Sequence, residues 1–225
     1  MEENLIGKIE DEISDKNAEL NTENVIKIRK DKLKKFFTGN YNFILYLLLA
    51  VVVFIAVKIR IRNLAGLRDI TTGAWTLGPD LDPFLFLRWA EYIVEHGKLF
   101  AVDTFRYIPL GFNTTGEYLL LPYSIAWFHK IAVLFGSESV AQSAVIYPVV
   151  MFALTLVGFF FMAREMLIEV LGKKKAGVAA LIAPFFFAVI PVILPRTIAG
   201  IPEKESIGFL FILHKNIVPN FDEPF

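Results

Sequence analysis

Residues 118–135, YLLLPYSIAWFHKIAVLF, decide how the chain is threaded. The stretch is long and apolar enough to pass for a bilayer-spanning helix, but His129 and Lys130 interrupt it. Ionisable side chains are costly at the bilayer centre and far better tolerated by a helix lying in the interface. Three other runs lack such an interruption. Phe43–Ile59 meets no charge before Lys58, and Ala144–Ala163 is apolar apart from Tyr147 and Thr155. Gly177–Leu194 is equally apolar, with Pro184 and Pro191 inside it. Each run has 17 to 20 residues, and at ~1.5 Å per residue that matches a hydrocarbon core of ~30 Å. A further run, Ile207–Leu213, is too short to cross.

Charge settles the parity. The cluster Lys27, Arg29, Lys30, Lys32, Lys34 and Lys35 belongs on the cytoplasmic side, and so do Lys173, Lys174 and Lys175. The chain between them must then cross an even number of times, which holds only if residues 118–135 do not span. Lys58, Arg60, Arg62 and Arg68 oppose this but form the smaller cluster.

Composition agrees with a membrane protein. Of 225 residues 55% are hydrophobic, 22 are phenylalanine and mean hydropathy is +0.53, a profile foreign to a soluble domain. The formal net charge is zero, so no overall field favours nucleic acid. The sign is segregated: residues 1–24 hold eight acidic and two basic side chains, whereas 25–39 hold six basic and one acidic. Cysteine is absent, which excludes disulfides and thiolate metal sites. The polar stretch to about residue 40 is not a cleavable signal, so the first apolar run serves as the insertion signal.

The sequence thus predicts an all-α polytopic membrane protein. A charged cytoplasmic tail covers 1–40 and the first transmembrane helix 41–60. An external loop with interfacial helices follows over 61–143. Transmembrane helices at 144–163 and 177–195 flank a cytoplasmic turn at 164–176. An external loop at 196–205 leads to a truncated fourth helix and an atypical tail at 206–225.

Two acidic motifs fall on the same external side, GPDLDPFLFLR at 78–88 and PRTIAGIPEKE at 195–205. Proline after Asp82 biases that residue to extended backbone, so its carboxylate is expected to project from irregular chain. It either caps the helix expected over Phe84–Gly97 or serves a site. Glu203 and Glu205 share a side only in extended or turn backbone, which Gly200 and Pro202 favour. They form either a solvated loop or a site. Arg196 is a snorkelling anchor or neutralises an anionic substrate. Brought together, Asp82, Glu203 and Glu205 would suit Mg²⁺ or Mn²⁺ rather than zinc. Such an ion stabilises a phosphate-bearing leaving group, the chemistry of glycosyl or phosphoryl transfer from a lipid carrier.

The stretch DLDPFLFLRWAEYIVEHG, then YIPLG at Tyr107–Gly111, and PRTIAGIPEKESIGFLFI resemble, in order, the spaced motifs of the catalytic subunit of oligosaccharyltransferases. The turn LIEVLGKKKAG fits between them, and the resemblance covers about residues 40–213. It implies the N-terminal part of a GT-C glycosyltransferase, of archaeal type, in the cell membrane. Such an enzyme moves a glycan from a dolichol-linked oligosaccharide donor to the asparagine of an Asn-x-Ser/Thr acceptor sequon. It also implies catalytic roles for Asp82, Arg196 and Glu205, metal binding by Asp82, Glu203 and Glu205, and substrate contacts from Arg88 and Arg196. Glu203 stands where the family has aspartate, and Lys204 where it has a neutral residue. The family's later spans, its further catalytic acid and its WWDYG domain are not found, so the chain is expected to be an N-terminal fragment. By itself it is expected to be inactive, lacking the C-terminal half.

Two other readings compete: another GT-C lipid-linked glycosyltransferase, and a non-catalytic membrane protein or degenerate paralogue whose acids only solvate loops. Asn113-Thr114-Thr115 is an acceptor sequon on the external side, so Asn113 is a candidate for glycosylation. The tail has an acidic, weakly amphipathic start (Leu5, Ile6, Ile9, Ile13). Its basic run is read as topogenic, with anionic headgroups as the alternative contact.

Overall fold

The computed structural model describes residues 24–32, 35 and 39–217. It divides into two units, Met1–Leu47 and Leu48–Phe225. In the first, residues 24–32 form an exposed helix, α1, carrying Lys27, Arg29, Lys30 and Lys32. The amphipathic start at 5–13 and the last residues of the chain, 218–225, lie outside the described residues.

Helix α2, Tyr41–Arg60, is an apolar run from Phe43 that acquires Lys58 and Arg60 only in its last turn, where cations complement the negative end of the helix dipole. A 3₁₀ turn over Leu64–Gly66 ends it. Helix α3, Asp82–His96, has Pro83 in its first turn and stops at Gly97, which takes the left-handed conformation. Phe86, Trp89, Ala90 and Ile93 give it a buried stripe at helical spacing. Next come two short antiparallel strands, β1 (Val102–Asp103) and β2 (Phe112–Asn113), with Val102 opposite Asn113. The sequence reading did not anticipate them. Helix α4, Leu120–Ala132, continues as a 3₁₀ turn to Phe135 and ends at Gly136.

Helix α5 runs from Val140 to Ala180 with one break, Gly172 at φ 73°, ψ 157°. Ser139 caps it by accepting from Gln142 N–H at 3.1 Å, while the Gln142 carbonyl accepts from Glu138 N–H at 2.8 Å; this reciprocal cap starts the helix at 140 rather than 144. The chain reverses at Gly172. Phe187 stacks on Phe152 and Phe159, with centroids 5.4 and 5.3 Å away, contacts that a straight helix could not make. The returning arm is segmented. Helix α6 covers only Ile182–Val189, Ile190 is extended, and Pro191–Arg196 form a 3₁₀ turn. Three prolines in this arm deny the ladder its donors. Helix α7 spans Lys204–Ile217.

Two stretches, Tyr41–Gly66 and Val140–Val189, are long and apolar enough to cross a membrane, the second being the folded hairpin. One cluster of buried side chains joins α3, α4 and α5 through Trp89, Leu121, Ile125, Val145 and Tyr147. A smaller one joins the end of α2 to both arms of the hairpin through Ala56, Phe152, Leu156 and Ala188.

Candidate functional site

The two acidic motifs meet through their backbones. Gly78 N–H donates to Gly200 C=O at 2.8 Å, and Gly200 N–H donates to Val145 C=O at 2.9 Å. Beside them Ala199 N–H donates to Arg60 C=O at 3.0 Å and Asn63 Nδ2 donates to Ala199 C=O at 2.8 Å. Gly200 sits at φ 84°, where a Cβ would lie 2.6 Å from Leu67 Cδ1 and 3.1 Å from Gly78 N. Only glycine suits this junction.

Arg60 holds the same junction from below. It is fully buried, with Nε on Thr197 Oγ1 at 2.8 Å and Nη1 on Ala188 C=O at 3.0 Å. Its guanidinium lies over the Phe152 ring, 3.4 Å from the centroid. The charge pattern had counted this residue only as a topological nuisance; its clamp depends on residues far along the chain.

At this junction the predicted acids differ in burial. Glu203 is buried and its Oε2 accepts from Arg196 Nη1 in a close ion pair. Burial pushes its carboxyl up; Arg196 pulls it back, while a hydrogen bond with Asp80 and the charge of Glu205 raise it further. Arg196 in turn is raised by Glu203, Glu205 and Asp80. The residue of the first motif that reaches Glu203 is therefore Asp80. Asp82 is exposed, in the first turn of α3. Its expected projection from irregular backbone is corrected: Pro83 is compatible with the first helical turn, so the helix begins one residue earlier than the X-Pro bias implied. Nor does Asp82 cap the helix; the position before it is Leu81, with no side-chain cap. Asp80 Oδ1 accepts from Leu81 N–H at 2.8 Å instead. The acid-x-acid spacing of Asp80 and Asp82 was the available signal for Asp80.

Glu205 lies in the first turn of α7 and is exposed, whereas Glu203 precedes the helix and is buried. Lys204 Nζ is drawn 5.7 Å above the Phe86 ring centroid. Among the described residues no three acidic or histidine side chains are gathered closely enough to cage an ion. The residues that could share a hard divalent cation are Asp80 and Glu203, since Asp80 lies near enough to Glu203 to raise its carboxyl, and carboxylates placed together favour positive charge beside them.

Arg88 is elsewhere. Its Nη1 donates to Asp103 Oδ1 at 3.0 Å and Nη2 pairs with Oδ2. Asp103 is buried and also accepts from Trp89 Nε1 and Phe105 N–H, both at 3.0 Å. Burial works to raise this carboxyl, but the donors outweigh it and hold it below the usual range. The pair ties the loop after α3 to the helix and lines a cavity of about 400 Å³ with Glu91, Tyr92 and Phe105. Asn113 is exposed, its Oδ1 taken by Thr115 N–H at 2.9 Å and Oγ1 at 2.7 Å.

No protein-family profile and no curated protein matches the chain. Among solved structures it is similar to the archaeal oligosaccharyltransferase AglB from Archaeoglobus fulgidus, determined in complex with an inhibitory peptide and a dolichol-phosphate. The TM-score is 0.59 at 22% identity, over 79% of this chain and 20% of that one. At that identity the likeness is one of fold, and the chain spans a fifth of the length of its structural neighbour.

Proposed function

We propose that this chain is the N-terminal part of a membrane-associated oligosaccharyltransferase. It would act on a dolichol-linked oligosaccharide donor and the asparagine of an acceptor sequon, with the acidic loops external. The observation that carries the reading is the Gly78–Gly200 backbone bond, which sets Asp80 against Glu203 and Arg196. Two motifs more than a hundred residues apart are held there by glycine-specific packing.

Mg²⁺ or Mn²⁺ would be held by Glu203 and Asp80, with Asp82 and Glu205 as the further ligands that the motif resemblance implies. Bound there, the ion would neutralise charge developing on a phosphate leaving group. Arg196 is exposed and its guanidinium is held beside Glu203, so one end can anchor the acid while free donors meet a phosphate oxygen.

Two measurements test this. Mn²⁺ titrated into the purified chain, followed by electron paramagnetic resonance, should be bound, and weakened by Asp80→Asn and by Glu203→Gln. Residues 41–213 exchanged for the corresponding segment of an active oligosaccharyltransferase should support transfer to an Asn-x-Thr peptide, which Glu205→Ala abolishes. A folded chimera that binds no Mn²⁺ and transfers nothing overturns the reading in favour of a non-catalytic membrane protein.

A further inference from the structure

A second cavity, of about 480 Å³, lies between α4 and α5, away from the acidic loops. Its walls are Leu120, Tyr123, Trp127, Phe128 and Ile131 of α4 and Met151 of α5, with Ser124 at the base. Leu120, Trp127 and Ile131 follow one another at helical spacing and are more than half exposed. The opposite face of the same helix, Leu121, Ile125 and Ala126, is buried. A helix apolar on both faces needs an apolar neighbour on each.

The chemistry of the occupant follows from the polar atoms. Ser124 Oγ donates to Leu121 C=O at 2.7 Å and meets the Tyr147 hydroxyl at 2.7 Å. Tyr123 OH accepts from Leu99 N–H at 3.1 Å. The Ser124 hydroxyl is thus engaged with the protein, and the wall's tyrosine keeps only its own O–H proton to offer. A sugar or a peptide backbone entering here would lose its water and find poor replacement, a penalty of about 1–3 kcal/mol per polar group. Hydrocarbon would lose nothing.

Position supplies the source. Met151, on the wall, is one turn from Leu154, an exposed apolar residue of α5 whose line continues at Phe161, seven residues on. The groove is therefore continuous with the stripe that α5 turns outward over its membrane-crossing length. At the other margin Trp127 and Lys130 provide the aromatic and cationic pair typical of the headgroup level.

We infer that this groove seats an acyl chain of a bilayer lipid, with α4 lying at the membrane surface and Lys130 at the depth of the headgroup. The inference rests on the membrane association proposed above. It would make α4 a lipid-filled spacer that fixes the depth of the external loop.

The test is tryptophan quenching in vesicles of phosphatidylcholine brominated on the acyl chain, after flotation has shown that the intact chain is inserted. In a Trp75→Phe background quenching should fall about twofold or more in Trp127→Phe, since the remaining Trp89 is buried in protein. Mass spectrometry of the detergent-purified chain should show one retained phospholipid, lost in Ile131→Lys at an exposed position, with circular dichroism showing that the variant is folded. Failure to float defeats the membrane reading itself. Insertion with Trp127 quenched by aqueous iodide and not by bromolipid overturns the groove alone, leaving it to water or a protein partner, as does retention of the lipid by a folded Ile131→Lys chain.

Discussion

Two arginine–carboxylate pairs, Arg88–Asp103 and Arg196–Glu203, have the same composition and opposite character. In each the acid is almost wholly buried and the guanidinium partly exposed. Asp103 receives four donors and its carboxyl is held low. Glu203 receives one arginine, shares its surroundings with Asp80 and Glu205, and its carboxyl is pushed up. A buried anion with full hydrogen bonding organises a loop. One crowded by other anions favours positive charge beside it, which Arg196 supplies here. Counting ion pairs would have missed the distinction.

Four experiments bear on that contrast. Asp103→Ala leaves Arg88 and the Trp89 Nε1 without their acceptor and should cost about 2–3 kcal/mol, read by denaturant unfolding in detergent; a loss below about 0.5 kcal/mol would make the two pairs alike. Gly200→Ala places a methyl against Leu67 and Gly78 in a left-handed backbone and should cost about 1–2 kcal/mol, with Mn²⁺ affinity falling in step because the motifs part. Glu203→Gln should change stability by less than about 0.5 kcal/mol, since it relieves as much repulsion as it removes attraction, yet weaken Mn²⁺ binding about tenfold or more.

The smallest effect is that of pH, and its sign differs between the pairs. Asp103, low in the fold, binds fewer protons there than in the unfolded chain, so its contribution is complete above the ordinary aspartate range and fades as pH falls through its depressed value. Glu203, high in the fold, binds more protons there, so its contribution is present below the ordinary glutamate range and fades as pH rises through its elevated value. Amide hydrogen exchange of residues 102–114 and of 197–206 across pH 3–8, about the carboxylate range, should show opposite trends.

Much of this was legible in residue patterns. Periodicity marked α3, the lysines with Gly172 marked where a reversal is possible, and the acids flagged both loops. Three things were not. The segmentation of residues 177–195 depends on how three prolines divide one apolar run, which hydropathy averages away. Proximity of Asp80 to Glu203 depends on a backbone bond across the fold, whereas the proline after Asp82 is a local signal. Arg60 reads as a terminal cation until Thr197 and Ala188 arrive to receive it.

That last residue bears on the order of assembly. The partners of Arg60 lie 137 and 128 positions downstream, so its side chain cannot reach its final acceptors while the ribosome is still making the loop. Until the returning arm emerges, its guanidinium must stay wet or find a temporary acceptor. Burial of this one side chain therefore waits on late synthesis, and a stall before residue 197 would leave it without its Thr197 acceptor.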